Sequence, residues 1–167
     1  NTNTVSTLRI NIATTDPYFY SFPADQFIWT NAISAASYTN QIGSISLYQT
    51  LTFPATNASL TYTIPENTYP NQSCSLLFSM QGGTASTITV SLKTTQGSNI
   101  ATTTLTNIST TSYTNYSLSF TSPTATSFNI VLSGATGTFN TRNWALISGT
   151  SVNTQVKGNL IVPYGNI

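Results

Sequence analysis

Asp16, Asp25 and Glu66 are the only carboxylate side chains available for acid–base chemistry in this chain of 167 residues. Glycoside hydrolysis needs two carboxyl groups, one to protonate the leaving group and one to act as nucleophile or base. Asp16 and Asp25 flank the aromatic residues 17–23, but an aspartate before a proline is an ordinary turn initiator. Histidine is absent, so a serine triad lacks its base and a zinc site lacks a common ligand. We therefore predict that the chain is not an enzyme.

Side chains suited to sugar recognition are, by contrast, abundant. Proteins bind sugars with aromatic rings against the apolar faces of the sugar and with amide or hydroxyl groups on its hydroxyls. The candidate ligand-binding residues are Trp29, Tyr48, Gln49, Tyr69, Tyr113 and Asn115. Trp29, Tyr69 and Tyr113 lie in or beside predicted loops, where binding sites collect. For each of these aromatic residues, packing in the core or against another subunit is the competing interpretation.

Residues 44–53 indicate the kind of element that positions these side chains. The apolar residues at 45, 47, 51 and 53 alternate with polar residues, and only Gln49 interrupts the apolar side. This is the pattern of a half-buried β-strand, because successive side chains leave the backbone on opposite faces. Tyr48 lies on the polar side, so its ring must face a ligand, a neighbouring molecule or solvent.

Similar alternation recurs along the chain. It predicts strands in residues 59–64, 75–80, 87–93, 100–108, 113–121, 127–133, 144–147 and 159–162, and one strand within residues 1–13. Residues 16–23 are predicted to form an ordered loop or an edge strand, and residues 31–37 a loop or one short helical turn. Nine or ten short strands separated by Gly, Pro or Asn predict two packed antiparallel sheets.

The predicted fold class is therefore all-β, an antiparallel β-sandwich of the jelly-roll type. We expect one domain over residues 1–167, with residues 1–22 as an N-terminal arm or edge strand. Trp144 is expected in the core. Cys74 is the only cysteine, which excludes an intramolecular disulfide and predicts a buried thiol.

The composition limits the classes of partner. Only 4% of the residues are charged, against about 25% in an ordinary soluble domain. Aromatic residues make up 11%, which favours a folded protein over a disordered one. The charged residues are scattered and form no basic patch, so we expect no nucleic-acid partner. No apolar run is long enough to span a bilayer, so we expect no membrane insertion.

A family resemblance extends over residues 43–147. Residues 43–54 (GSISLYQTLTFP), followed by residues 60–62 and 77–78, resemble the first half of galactose-binding-like, carbohydrate-binding-module jelly rolls. Residues 114–120 (TNYSLSF) look like the "W-x-x-Y-S-F-x-F" strand of those domains, and residues 128–134 (FNIVLSG) are similar to the strand that follows it. Residues 143–147 (NWALI) stand where such domains usually end with "D-N-V-x-L". The resemblance implies a non-catalytic glycan-binding fold.

These modules often hold a structural calcium ion. The acidic residue that contributes to that site is replaced in this chain around Arg142 and Asn143, which puts calcium in doubt. We expect no cofactor.

A second resemblance is one of composition. Head domains of viral attachment fibres are often Thr-, Ser- and Asn-rich β-sandwiches with few charges, and they are commonly homotrimers. The sequence has no initiator Met and no secretory h-region, so we expect it to begin inside a larger protein or after processing. The location expected is the virion surface or the extracellular space.

Three hypotheses about function follow. The first is a binding head that recognises a glycan or a glycoprotein receptor, as the C-terminal head of a trimeric virion fibre or surface protein. The second is a carbohydrate-binding module of a secreted glycoside hydrolase. The third is a structural virion or surface-layer subunit, whose aromatic residues contact neighbouring subunits.

Overall fold

The computed structural model of the protein describes residues 6–8, 17–21, 29–33, 36–43, 47–64, 67, 69–149 and 160–162. The chain divides into two compact units, Pro17–Thr150 and a unit formed by Asn1–Asp16 with Ser151–Ile167. In the latter unit, β1 (Ser6–Leu8) pairs antiparallel with β13 (Leu160–Val162). The single domain over residues 1–167 stays a prediction.

The unit Pro17–Thr150 contains a six-stranded sheet. Its strands are β2 (Pro17–Ser21), β4 (Ser37–Ile42), β5 (Leu47–Phe53), β7 (Ser73–Gly82), β10 (Thr114–Thr121) and β12 (Gly137–Ser148). Their order is β10-β7-β12-β5-β4, and β2 also pairs with β12. All of these pairs are antiparallel. Because β7 occupies one edge of β12, β5 and β2 share the other edge, β5 along the first half of β12 and β2 along the second.

A five-stranded sheet completes this unit. Its strands are β3 (Thr30–Ile33), β6 (Ser59–Ile64), β8 (Ile88–Thr94), β9 (Asn99–Leu105) and β11 (Phe128–Ser133). Their order is β3-β6-β11-β8-β9, again with antiparallel pairing throughout. The described residues contain no helix, so none of them forms a helix that could cross a membrane.

Apolar side chains from alternate positions of both sheets form the core. Ile88, Val90 and Leu92 of β8 are fully buried, as their alternation in the sequence predicts. From the six-stranded sheet, Trp144 stacks on Phe78 with 4.5 Å between the ring centroids. The fold is thus the predicted antiparallel β-sandwich of the jelly-roll type.

The structure corrects the prediction for residues 31–37. A short helical turn was one of the two expectations, but β3 covers residues 30–33 and β4 begins at Ser37. β4 is an edge strand, and its inward side includes Asn40, which accepts a hydrogen bond from Gln49. Because polar residues occupy both sides of β4, it lacks the alternation by which a half-buried strand is recognised.

Two turns show different uses of glycine. Gly97, between β8 and β9, has φ 95°, a conformation that glycine adopts without steric cost. Gly83, after β7, is required for close approach, because a Cβ atom there would overlap the hydroxyl of Thr138. Cys74 on β7 is buried, as predicted.

Candidate functional site

One face of the six-stranded sheet points away from the core and carries polar side chains in two rows that cross the strands. The first row, from β10 through β7, β12 and β5 to β4, is Asn115, Ser79, Arg142, Tyr48 and Gln41. The second row, in the same strand order, is Tyr113, Gln81, Asn140, Thr50 and Thr39. Tyr113 directly precedes β10. We call these two rows the outer polar face.

Tyr48 and Arg142 lie beside each other on neighbouring strands. Gln49 of β5 pairs with Thr141 of β12, so the next residues of this antiparallel ladder, Tyr48 and Arg142, share the next level. Gln49 and Thr141 are fully buried on the inward side. Alternation therefore turns the side chains of Tyr48 and Arg142 outward.

A β-bulge in β12 sets the direction of Arg142. Asn143 and Trp144 together oppose a single residue of β7, Phe78. Asn143 has φ 59°, a left-handed conformation that asparagine tolerates better than most residues. The extra residue reverses the alternation, so Arg142 points outward whereas Trp144, two positions later, is fully buried in the core.

Arg142 and Tyr113 form a cation–π pair on this face. The Cζ atom of the guanidinium lies 3.8 Å from the centroid of the Tyr113 ring. Burial raises the pKa of Tyr113 to about 12, an increase that the Arg142 cation opposes and that electrostatic repulsion from the neighbouring Tyr48 reinforces. Tyr48, Tyr113 and Arg142, each half-buried, thus form one interacting group.

Two asparagines flank this group in fixed orientations. The amide oxygen of Asn115 accepts a short hydrogen bond from the hydroxyl of Ser79. The amide oxygen of Asn140 accepts a hydrogen bond from the hydroxyl of Thr50 at 2.9 Å. Within the described residues no hydrogen bond engages the amide nitrogen of either asparagine. Both amide groups therefore offer N–H donors to a ligand.

The structure brings together three of the residues proposed from the sequence. Tyr48 on β5, Tyr113 directly before β10 and Asn115 at the start of β10 lie on the outer polar face. The other three lie elsewhere. Trp29 is only 3% exposed and meets Trp144 edge-on, with 5.2 Å between ring centroids.

Gln49 and Tyr69 contribute to packing. Gln49 is fully buried, where its amide oxygen accepts a hydrogen bond from the indole nitrogen of Trp29 at 3.1 Å. Tyr69 is half-buried against the core. Because these positions face inward or pack on the core, we leave Trp29, Gln49 and Tyr69 out of the candidate site.

Sequence reasoning missed Arg142 as a site residue. Arg142 and Trp144 stand two positions apart, so a regular strand would place both on the same face. A tryptophan that belongs in the core and an arginine that belongs outside cannot share one face. This conflict is a sequence signal that predicts a bulge between them.

The carboxylates considered for catalysis, Asp16, Asp25 and Glu66, lie outside the described residues. In the part of the chain that the structure describes, no cluster of three or more His, Cys, Asp or Glu side chains could hold a metal ion. The outer polar face presents aromatic rings, amides and a guanidinium.

Several solved structures that are similar to this chain are carbohydrate-binding modules. The CBM22-1 xylan-binding domain of Xyn10C from Paenibacillus barcinonensis matches with a TM-score of 0.60 and 8% identity, over 82% of this chain and 97% of that one. A second xylan-binding domain, from CBM 22, matches with a TM-score of 0.59 and 12% identity over the same shares. A CBM4 matches with a TM-score of 0.57 and 16% identity, over 72% of this chain and 86% of that one.

The chain shares their β-sandwich fold. No protein-family model matches its sequence, and no curated protein is similar enough to count as a match. The predicted resemblance to carbohydrate-binding-module jelly rolls is thus confirmed at the level of the fold. None of these three structures is a viral fibre head.

Proposed function

We propose that this protein is a non-catalytic glycan-binding module whose ligand lies on the outer polar face. The observation that carries the proposal is the pairing of Tyr48 and Tyr113 with Arg142 on the outward side of the six-stranded sheet. The rings of both tyrosines are only half-buried. They are therefore available to a ligand.

The dimensions of the face suit a chain of sugars. Each row crosses five strands, and four gaps of about 4.8 Å give a length of about 19 Å, enough for several sugar rings in line. The ring of Tyr48 would lie against the apolar face of one sugar. The amide groups of Asn115 and Asn140 would hydrogen-bond the hydroxyls of its neighbours.

The structural similarities support this assignment over its alternatives. Two of the similar structures are named as xylan-binding domains, and a polysaccharide ligand is accordingly proposed for this chain. The second hypothesis from the sequence, a carbohydrate-binding module of a secreted glycoside hydrolase, becomes the favoured biological setting. An extracellular location is part of that proposal.

Binding to a panel of polysaccharides, with xylan among them, tests the function. We expect the wild-type protein to retain at least one glycan and the variant Tyr48→Ala to bind it about tenfold or more weakly, as for an aromatic residue central to an interface. Thr104→Ala, on an exposed position of β9 in the other sheet, is the matched control and should bind like wild type. Equal binding by the wild type and Tyr48→Ala would show that the glycan binds elsewhere on the protein. If the wild-type protein binds no glycan, the proposed function is wrong.

The viral fibre head and the homotrimer stay predictions, as does the structural subunit. Molar mass in solution, measured by light scattering on a sizing column, separates them from a module. A mass three times that of the chain would favour the fibre head. A monomer that binds a polysaccharide would favour the module of a hydrolase.

A further inference from the structure

Two amide side chains lie side by side in the second row of the outer polar face. Gln81 of β7 and Asn140 of β12 occupy directly opposite positions of the antiparallel ladder, so their Cβ atoms stand about 5 Å apart. Both side chains are half-buried. The next position on the β10 side is Tyr113, and the next on the β5 side is Thr50. The two amides thus lie between an aromatic ring and a hydroxyl.

Each amide is held by a hydrogen bond on the side away from the other. The amide nitrogen of Gln81 donates to the backbone oxygen of Thr110 at 3.0 Å. Thr110 lies on the β10 side of β7, where the residue before it bonds to the end of that strand. The amide oxygen of Asn140 accepts a hydrogen bond from the hydroxyl of Thr50, on β5, at 2.9 Å. These two bonds fix the orientation of both amide groups.

The remaining ends of the two amides have opposite hydrogen-bonding character. The Oε1 atom of Gln81 is an acceptor, and the Nδ2 atom of Asn140 is a donor. Within the described residues neither of these atoms makes a hydrogen bond. The oxygen and nitrogen of an amide lie on different sides of the same carbon, so each remaining end turns toward the other side chain or outward. The outer polar face therefore presents an acceptor and a donor next to each other, in a fixed order.

We propose that the glycan on this face carries N-acetyl groups and that Gln81 and Asn140 together bind the acetamido group of one amino sugar; this inference rests on the function proposed above. A trans secondary amide has its N–H and its C=O on opposite edges. The N–H would donate to Oε1 of Gln81, and the C=O would accept from Nδ2 of Asn140. A hydroxyl in place of the acetamido group has a single oxygen and would leave one of the two side chains unpaired, which costs affinity.

The methyl of the acetamido group also finds a suitable neighbour. In a trans acetamido group the methyl lies on the same edge as the N–H, the edge that would face Gln81. Tyr113 is the next residue of the row on that side, and its ring is half-buried. The methyl would contact the part of this ring that Arg142 leaves open, since an aromatic ring offers apolar surface. Acceptor, donor and apolar surface thus follow one another in the order that an acetamido group requires.

The test uses pairs of neutral glycans that differ only in this group. Chito-oligosaccharides are compared with cello-oligosaccharides of the same length, because the two share their linkage and differ only where an acetamido group replaces a hydroxyl. Glycans of N-acetylgalactosamine are compared in the same way with those of galactose. Calorimetric titration gives the ratio of affinities within each pair. We expect the wild-type protein to bind the N-acetyl member of at least one pair about fivefold or more tightly, as one or two net hydrogen bonds provide.

Two variants assign the preference to the amide pair. Asn140→Asp keeps an acceptor for Thr50 but replaces the donor Nδ2 with an acceptor, and Gln81→Leu removes the acceptor Oε1 at similar volume. Each should bring the ratio of affinities close to one. Asn129→Asp is the matched control, because Asn129 of β11 likewise accepts a hydrogen bond from a threonine, Thr63, at 2.9 Å in the other sheet. It adds the same charge as Asn140→Asp and should leave the ratio unchanged.

Tyr48→Ala separates this preference from glycan binding as such. It should weaken both members of a pair alike, because the ring of Tyr48 is proposed to contact the sugar and not the acetamido group, and so it should keep their ratio. Thermal unfolding verifies that each variant is folded. Since Gln81→Leu and Asn140→Asp change different strands, one of them that stays folded is enough to decide the matter.

Every result of this comparison counts for or against the inference. A preference for the N-acetyl member that is lost in the folded variants of Gln81 and Asn140, and kept in Asn129→Asp, supports it. Equal binding within every pair, or binding of xylan alone, overturns it while the proposed glycan-binding function stands. A folded Gln81→Leu or Asn140→Asp that keeps the preference also overturns it. If the wild-type protein binds no glycan of any kind, both proposals are wrong.

Discussion

The guanidinium of Arg142 lies over the ring of Tyr113, with 3.8 Å between Cζ and the ring centroid. The contact joins β12 to the residue that directly precedes β10, across the intervening strand β7. It therefore holds a charged side chain along the surface of the sheet.

The Arg142–Tyr113 pair should contribute measurably to stability. Replacing Arg142 with Gln, Tyr113 with Leu, and both together forms a double-mutant cycle. We expect a coupling free energy of about 0.5–1 kcal/mol, as for a cation–π pair at a partly exposed site. Urea unfolding measures it, and strictly additive effects of the two changes would show that the contact is energetically neutral.

Tyr113 should titrate at an unusually high pH. Its pKa is raised from 10.0 to about 12, chiefly by burial. Because the folded protein holds this proton more tightly than the unfolded chain, the stability linked to Tyr113 is complete below pH 10 and is lost as the pH rises toward about 12. Tyrosinate absorbance follows the titration, and Tyr113→Phe should remove its high-pH component.

Replacing Arg142 or Tyr48, the neighbours of Tyr113, should shift the pKa of Tyr113 in opposite directions. Arg142→Gln removes the cation that lowers the pKa of Tyr113, so the pKa should rise further. Tyr48→Phe removes a group that raises it, so the pKa should fall. Shifts of the opposite sign would mean that these side chains do not interact as the structure has them.

The bulge at Asn143 should depend on backbone conformation rather than on the asparagine side chain. Its Oδ1 atom is buried without a hydrogen-bond partner among the described residues, and its φ is 59°. Asn143→Gly should therefore leave the free energy of unfolding unchanged, because glycine adopts this φ without steric cost. Asn143→Val should lower the free energy of unfolding by about 1–2 kcal/mol, because a β-branched residue is strained there. Denaturant unfolding of the two variants provides the comparison. Equal stability of Asn143→Val and wild type would contradict the bulge.

Core and site should respond separately to substitution. Gln49→Ala removes a buried side chain that bonds the indole of Trp29 and the amide of Asn40, and should cost about 1–3 kcal/mol of stability. Affinity for the glycan should stay near the wild-type value once the variant is fully folded at low temperature. A loss of affinity without a loss of stability would return Gln49 to the candidate site.

Tyr69→Ala extends the same comparison to an aromatic residue. Tyr69 packs against the core, so the variant should be less stable but should bind as wild type does. Calorimetric titration with the glycan measures the binding, and denaturant unfolding measures the stability. Weakened binding by a fully folded Tyr69→Ala would support the assignment of Tyr69 made from the sequence.

The sequence predicted the fold where alternation was regular. Ile88, Val90 and Leu92 are buried as expected, because a strand with one face in the core must alternate. The edge strand β4 was missed since its inward side includes Asn40, whose hydrogen bond to Gln49 replaces apolar burial. Because this hydrogen bond joins side chains of two neighbouring strands, the alternation within β4 alone does not reveal it.

The site was predictable in part for the same reason. Tyr48 stood out because a tyrosine on the polar side of a strand must face outward. Trp29 sits at the start of a strand that the sequence did not reveal, so its burial between the sheets could not be predicted. Arg142 was missed because the bulge at Asn143 changes the face of every later residue of β12.

Nuclear magnetic resonance can map the ligand onto the protein, in a titration with the glycan that binds most tightly in the panel. We predict that the amide shifts change around Tyr48, Arg142 and Asn115 on the outer polar face, and that those around Thr89 and Thr104 on the other sheet do not. Changes confined to the five-stranded sheet would contradict glycan binding on the outer polar face, as would the absence of any change with every glycan tested.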